Sequence, residues 1–158
     1  MPNIIDKDVS IWWVTKILIA LFLIAYAIWS SLKSPFFPVL FTLPIWIGEI
    51  FIFLGDGLNT YHYILIKRHN PNISLQGDLI TDQGLFKWIR HPMYLGDMLL
   101  SLGFTLLIRD VLSICLFFIS IPCVIFQSMR EDKLLAEKFI EKHKAWREKS
   151  WLLLPRIL

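Results

Sequence analysis

Residues 11–32 read IWWVTKILIALFLIAYAIWSSL, and this stretch decides the fold class. As an α-helix it is roughly 33 Å long, which is enough to cross the hydrocarbon core of a bilayer. Its one charged residue, Lys16, lies near the beginning, where a long aliphatic stem lets the ammonium group reach the interface. Tryptophans stand near both ends, as is typical of interfacial positions. The stretch therefore predicts a transmembrane helix.

The composition of the whole chain agrees with this prediction. Of the 158 residues, 56% are hydrophobic and 18% are charged, whereas soluble domains have about 45–50% apolar and about 25% charged residues. A soluble domain of this size has one core, which is too small to hide so much apolar surface. Cys115 and Cys123 lie in an apolar run without metal-ligand spacing. We expect two free thiols, no metal site and no nucleic-acid surface.

A second apolar run covers residues 36–66 and enters the membrane through Pro38 and Pro44. Glycine at position 55 loosens the backbone, so we expect one helix that ends or kinks near Gly55 and continues to the membrane surface.

Two shorter apolar runs follow, residues 93–108 and 111–127, and Arg109-Asp110 separates them. Each is near the lower limit for a crossing, and the tight separation predicts a helical hairpin. The chain is thus predicted to be an all-α integral membrane protein with about four transmembrane helices in a single domain, residues 1–158. Its predicted parts are spans at 11–32, 36–66, 93–108 and 111–127, a cytoplasmic loop at 67–92 and a cytoplasmic tail at 128–158.

The tail is charged, and Leu135, Phe139 and Trp146 recur in it at helical spacing. This pattern predicts an amphipathic helix that lies on the membrane or folds back on the bundle. Most basic residues fall on one side of the four-span arrangement, and only Lys33 and Arg109 fall on the other. The side with the excess is expected to be cytoplasmic. We therefore expect a multi-pass protein of the inner or cytoplasmic membrane with both termini in the cytoplasm.

Residues 77–96 read GDLITDQGLFKWIRHPMYLG and enter the third span. Pro92 suits the first turn of a helix, which places Arg90 and His91 where the bilayer meets the cytoplasm. Backbone amides at a helix N-terminus, beside an arginine and a histidine, suit a carboxylate or another anion. Taken alone, this pair is also consistent with simple anchoring of the helix in lipid headgroups.

Acids within the predicted spans give further candidate residues, because ionisable groups in membrane helices usually serve a function. Asp97 stands about one helical turn after Tyr94, and Gly96 between them leaves space for a ligand or a neighbouring helix. Glu49 lies in the second span. Each acid is equally consistent with a hydrogen-bonded partner inside the bundle.

The segment at residues 77–96 resembles a family of membrane methyltransferases that includes isoprenylcysteine carboxyl methyltransferases and phospholipid N-methyltransferases. That family reads Gly-x-Tyr-x-x-x-Arg-His-Pro-x-Tyr-x-Gly here, and aromatic residues Phe86 and Trp88 stand where tyrosine is common. The matching residues are Leu79, Ile80, Gly84, Arg90, His91, Pro92, Tyr94 and Gly96.

The second half of the family pattern, Glu-Glu-x-x-Leu-x-x-x-Phe-Gly-x-x-Tyr-x-x-Tyr, follows the last hairpin. The acids, the leucine and the phenylalanine are present, but His143 and Trp146 replace the two tyrosines. The matching residues are Glu131, Asp132, Leu135 and Phe139.

The resemblance implies that S-adenosylmethionine binds on the cytosolic side, between these two motifs. The implied reaction is in-line methyl transfer to an N, O or S nucleophile of a lipophilic or amphiphilic acceptor, and an amine acceptor would need a base. The predicted catalytic residues are Arg90 and Glu131, which lie in the two motifs, and Asp97, which is predicted as an acid within a span. The implied cofactor-binding residues are Arg90, His91, Pro92, Tyr94, Gly96, Glu131 and Asp132.

Two alternatives remain at this level. Sterol reductases carry a similar Arg-His-Pro-x-Tyr helix and use NADPH, although they are much longer. A non-catalytic membrane subunit or lipid-binding module could also keep this fold, and the missing tail tyrosines favour it. The sequence leaves the methylated atom and the oligomeric state open.

The four-span arrangement predicts that reporters fused at residues 1 and 158 lie on the same side of the membrane. A reporter inserted between Lys33 and Pro35 should lie on the opposite side. Termini on opposite sides would show that the number of spans is odd.

Overall fold

A computed structural model describes residues 11–33, 37–69 and 79–153. The described residues are helical, and their one extended pairing is an isolated parallel bridge between Ile89 and Trp151. The all-α prediction is therefore confirmed. The elements are α1 (Ile11–Leu32), α2 (Ile45–His69), a 3₁₀ turn (Gly84–Lys87), α3 (Pro92–Ile108), α4 (Val111–Lys138) and α5 (Ile140–Arg147). Parts of the predicted N-terminus, first turn, loop and tail lie outside the described residues, at 1–10, 34–36, 70–78 and 154–158.

The predicted second span is the one whose bounds differ most. Its predicted start at residue 36 is wrong, because α2 begins at Ile45. Pro44 restricts Leu43 to extended backbone, so a helix cannot pass through this point readily. Of the two outcomes expected at Gly55, an end of the helix is not observed: α2 runs on to His69, close to the predicted end of the span at residue 66. A glycine inside a helix costs only about 1 kcal/mol, which the rest of a long helix offsets.

The chain divides into two compact units, and α2, α3 and α4 each contribute a segment to both. The first unit comprises Met1–Phe53 and Met98–Gln127, and the second comprises Leu54–Asp97 and Ser128–Leu158. The grouping of residues 1–158 into a single membrane domain stays a prediction.

The core of the first unit is built on one face of α1. Ile19, Leu23 and Tyr26 recur at helical spacing and are buried, whereas residues between them are exposed. A stripe of this kind is what an amphipathic packing face requires. The buried cluster consists of Ile19, Leu23, Tyr26, Ala27, Ile108 and Cys123.

The turn between α3 and α4 contains only Arg109 and Asp110. Arg109 adopts a positive φ of 63°, and its Nη1 donates a hydrogen bond to the Leu43 carbonyl at 3.2 Å. Asp110 is fully buried and caps α4, since its Oδ1 accepts the Ser113 amide at 2.9 Å. Its other carboxylate oxygen accepts a hydrogen bond from the Tyr26 hydroxyl. The turn therefore ties α4 to α1.

Small residues allow α2 and α3 to approach closely within the first unit. A Cβ atom on Gly103 would lie 2.8 Å from the Gly48 carbonyl oxygen and 2.6 Å from Ile52 Cγ1. Backbones in such close contact are typical of helix pairs in membranes.

Two described helices, α1 and α4, are long and apolar enough to cross a membrane. Helix α3 is a shorter apolar helix. Large apolar side chains on α1, among them Leu18, Leu21 and Ile28, are exposed, which suits contact with lipid. The count of four spans stays a prediction.

Replacing Gly103 with alanine is expected to destabilise the protein by about 1–3 kcal/mol, because the new methyl group would overlap backbone atoms of α2. Gly57→Ala is the matched control, since a Cβ atom there meets nothing within 4 Å. Alanine favours helix, so this control should be neutral or slightly stabilising. Thermal unfolding in detergent measures both, and equal midpoints for the two variants would contradict the close approach.

Candidate functional site

The Arg90-His91-Pro92 segment lies at the beginning of α3, and Pro92 is its first residue, as the sequence predicts. The amides of Arg90 and His91 precede the helix and need partners elsewhere. They donate to the carbonyls of Trp151 and Leu152 at 2.8 and 3.1 Å. The end of the described tail therefore holds this segment in place.

Asp132 is the polar centre of the site. Its Oδ1 lies 2.8 Å from Arg90 Nε, 3.0 Å from His143 Nε2 and 3.7 Å from His91 Nε2. All four residues are buried. Arg90 also donates from Nη1 to the Ser150 carbonyl at 2.6 Å. The guanidinium of Arg90 is thus engaged by protein groups in a buried ion pair.

The electrostatics of this cluster act on the carboxyl group of Asp132. Burial would raise its pKa, but the imidazoles of His91 and His143 and the guanidinium of Arg90 outweigh burial. Together they hold the pKa of Asp132 well below its ordinary value. Asp132 is therefore ionised throughout the physiological range.

Glu131 differs from its neighbour because its side chain is 41% exposed. The Tyr94 hydroxyl donates a hydrogen bond of 2.5 Å to Glu131 Oε1. The second oxygen, Oε2, lies 3.7 Å from His91 Nδ1. The structure therefore brings Tyr94, His91 and Glu131 together as the sequence predicts, and Glu131 is an accessible carboxylate among them.

Gly96 and Asp97 face the second segment of α2. A Cβ atom on Gly96 would overlap the Asn59 side chain and would lie 2.9 Å from the Gly55 carbonyl oxygen. Asp97 Oδ1 accepts a hydrogen bond from Asn59 Nδ2 at 3.0 Å. The sequence predicted that Gly96 leaves space for a ligand or for a neighbouring helix, and in the structure α2 approaches it. Glu49 is exposed on the part of α2 that belongs to the first unit.

The predicted tail helix is two helices. Helix α4 ends at Lys138, Phe139 leaves helical geometry with φ −121° and ψ 52°, and α5 begins at Ile140. The apolar residues of the tail pack against the loop before α3, and Trp146 Nε1 donates to the Phe86 carbonyl at 2.6 Å. This cluster consists of Leu79, Ile80, Phe86 and Trp146, with Ile66, Leu135 and Phe139 packed against it.

His62 is a residue that sequence reasoning missed. It is fully buried on α2, where Nδ1 lies 2.8 Å from the Leu58 carbonyl oxygen and Nε2 accepts the Leu85 amide at 3.1 Å. The neighbouring Gly84 has a φ of +52°, and a Cβ atom there would lie 2.9 Å from Leu65 Cδ1. The glycine and the histidine together set the path of the loop toward Arg90. A lone histidine in an apolar run carries no signal that could have revealed this.

Comparison with known proteins gives one family. Residues 61–137 match the sequence model of the isoprenylcysteine carboxyl methyltransferase (ICMT) family. No curated protein and no solved structure gives a significant match. The matched segment contains Arg90, His91, Tyr94, Glu131 and Asp132. Members of this family are methyltransferases, and the described helices α1 and α4 are long and apolar enough to cross a membrane.

Replacing Asp132 with asparagine is expected to destabilise the protein by about 3–5 kcal/mol at neutral pH, because Arg90 is left as an uncompensated buried charge. Folding lowers the pKa of Asp132, so its contribution is present above the unfolded-state pKa of about 3.9. That contribution is lost as the pH falls through the lower folded-state pKa.

The difference in stability between wild type and Asp132→Asn should accordingly stay constant from about pH 7 to about pH 5 and shrink below about pH 4. Thermal unfolding in detergent across this range measures it. Glu137→Gln, at an exposed position of α4, is the matched control and should have little effect at any pH. A difference that disappears near pH 6 would contradict the ion pair.

Proposed function

We propose that this chain, which the match over residues 61–137 assigns to an isoprenylcysteine carboxyl methyltransferase-like family, uses S-adenosylmethionine to methylate an amphiphilic molecule. The methyl acceptor is a nitrogen, oxygen or sulfur atom of a lipophilic or amphiphilic substrate. We expect the reaction at the cytoplasmic face, because residues 67–92 and the tail carry most of the basic residues.

The exposed carboxylate of Glu131 is the observation that carries this proposal. Asp132, the next residue of α4, forms a buried ion pair with Arg90. The side chain of Glu131 is instead partly exposed, and it lies beside His91 at the beginning of α3. A fixed, accessible carboxylate suits a cationic ligand. S-adenosylmethionine is such a ligand, since it carries a sulfonium and an ammonium group, so the residues present fit its positive part.

The side chains around Glu131 fix its orientation. Tyr94 donates to one carboxylate oxygen, and the buried His91 ring lies beside the other. Because both groups come from the beginning of α3, the carboxylate of α4 is held at a constant position relative to that helix. A pre-organised carboxylate binds a cation without first losing side-chain entropy.

S-adenosylmethionine, when bound, supplies a methyl group on a positively charged sulfur, which keeps the bonding electron pair and becomes a neutral thioether as the methyl group leaves. The protein contributes mainly alignment and exclusion of water. A carboxylate or thiolate acceptor is already nucleophilic. An amine acceptor must first lose a proton, for which His91, Glu131 and Asp97 are the candidate bases.

Within this proposal, some of the predicted site residues contact the cofactor, and the buried ones support those residues. Tyr94, His91 and Glu131 contact the cofactor. Pro92 begins α3, which carries Tyr94, and Glu131 comes from α4. The buried polar residues Arg90 and Asp132 support the site from behind.

Purified protein in detergent or nanodiscs is expected to bind S-adenosylmethionine or its demethylated product and to leave NADPH unbound. Glu131→Gln and His91→Ala should each weaken cofactor binding roughly tenfold or more, because each removes a contact near a charged group. Isothermal titration calorimetry gives the dissociation constants.

Glu141→Gln, on the exposed face of α5, is the matched control for Glu131→Gln and should bind as wild type does. Binding of NADPH would favour the reductase alternative. Absence of binding by folded wild-type protein would favour the non-catalytic alternative. Unchanged affinity in both site variants would remove the proposed site.

A further inference from the structure

His143 is the one member of the Asp132 cluster that no proposed step uses. It lies on α5, its side chain is 2% exposed, and its Nε2 is 3.0 Å from Asp132 Oδ1. The ring packs edge-on to Trp146, with the two ring planes at 88°. Tail, loop and α4 therefore meet at a single carboxylate.

We propose that His143 is a positioning residue of the cofactor site. By donating from Nε2 to Asp132 it fixes the carboxylate that holds Arg90, and through Arg90 it sets the position of His91 at the beginning of α3. This inference rests on the proposed function, because the site that His143 positions is the proposed cofactor site.

Asp132 Oδ1 is approached by two buried side-chain donors. Arg90 Nε and His143 Nε2 converge on this one oxygen at 2.8 and 3.0 Å, and they come from different parts of the chain. With Arg90 alone, the carboxylate could rotate while keeping its ion pair. A second buried donor leaves one rotamer in which both hydrogen bonds form.

Fixing Asp132 also fixes Glu131. The two acids are adjacent on α4, so their side chains leave the helix in directions about 100° apart. When the Asp132 side chain is held in the buried cluster, α4 cannot rotate about its own axis at this turn without breaking these contacts. The accessible carboxylate then stays within reach of the Tyr94 hydroxyl, 2.5 Å away.

The proton on His143 is set by its partner. Asp132 is ionised and can only accept, so His143 Nε2 must carry a hydrogen. The Nε2–H tautomer of the imidazole supplies this donor. Asp132 is the charged group that His143 contacts, and the same carboxylate also meets Arg90 at 2.8 Å and His91 at 3.7 Å.

The same geometry accounts for a departure in the sequence. His143 and Trp146 stand where the resembling family has tyrosines, and both place a ring N–H donor in the interior. His143 donates to Asp132, and Trp146 donates to the Phe86 carbonyl. Ring N–H donors thus stand in for the missing tyrosine hydroxyl groups. The absence of the tyrosines therefore favours the non-catalytic alternative less than the sequence alone suggests.

The test compares two substitutions of nearly equal size. His143→Gln keeps an N–H donor at the position of Nε2, whereas His143→Met places a methyl group there. We expect His143→Met to weaken S-adenosylmethionine binding about tenfold or more and His143→Gln to stay within about threefold of wild type. Lys144→Met, at an exposed position of the same helix, is the control and should bind as wild type does.

A positioning role also predicts non-additivity. In an Asp132→Asn background, changing His143 to methionine should produce no further loss of affinity, since the contact is already altered. Equal affinities for His143→Met and wild type, or equal losses for the methionine and glutamine variants, would overturn the inference while leaving the proposed function intact. Failure of wild-type protein to bind the cofactor would overturn both.

A measurement on unaltered protein covers the case in which His143→Met does not fold. Spectra of ¹⁵N-histidine-labelled protein report which ring nitrogen carries hydrogen, and Nε2 of His143 is expected to be protonated in the neutral ring. An unprotonated Nε2 would overturn the inference, because that nitrogen could not donate to Asp132.

Discussion

A buried ion pair between Arg90 and Asp132 joins the loop before α3 to the end of α4. Removing two charges from water costs several kcal/mol for each ion, and the attraction between them offsets this only when other hydrogen bonds satisfy the remaining groups. Here Ser150 accepts from Arg90, and His143 donates to Asp132. Groups from the tail therefore satisfy the hydrogen bonds of the pair, so the ion pair and the packing of the tail support each other.

The two neighbouring acids of α4 have been given different environments. Asp132 is buried among basic groups that lower its pKa, and it serves the interior. Glu131 is one residue earlier, is part-exposed, and meets a tyrosine hydroxyl and a more distant histidine. Because Asp132 already neutralises the charge of Arg90, the proposed contact of Glu131 with a cationic ligand does not compete with that ion pair. One carboxylate is thus buried in an ion pair, and the next one is partly exposed, which is the basis for the cation site proposed at Glu131.

The tail is part of the scaffold of the site. Trp151 and Leu152 accept the amides that precede α3, and Trp146 fills the apolar cluster beside the loop. These contacts give the loop the hydrogen bonds that an irregular segment otherwise lacks. The role of the tail in holding the loop follows from these hydrogen bonds.

Sequence alone determined the helical class, the bounds of α1, the start of α3 at Pro92 and the motif residues, because apolar periodicity and proline geometry act locally. The predicted start of the second span, at residue 36, was too early, because Pro38 and Pro44 were interpreted as part of the span and α2 begins only after Pro44. Tertiary structure decided which polar groups meet. Arg90 pairs with Asp132 across 42 positions, and His62 receives an amide from the loop 23 positions away. Such pairings depend on how helices pack, and no spacing in the sequence encodes them.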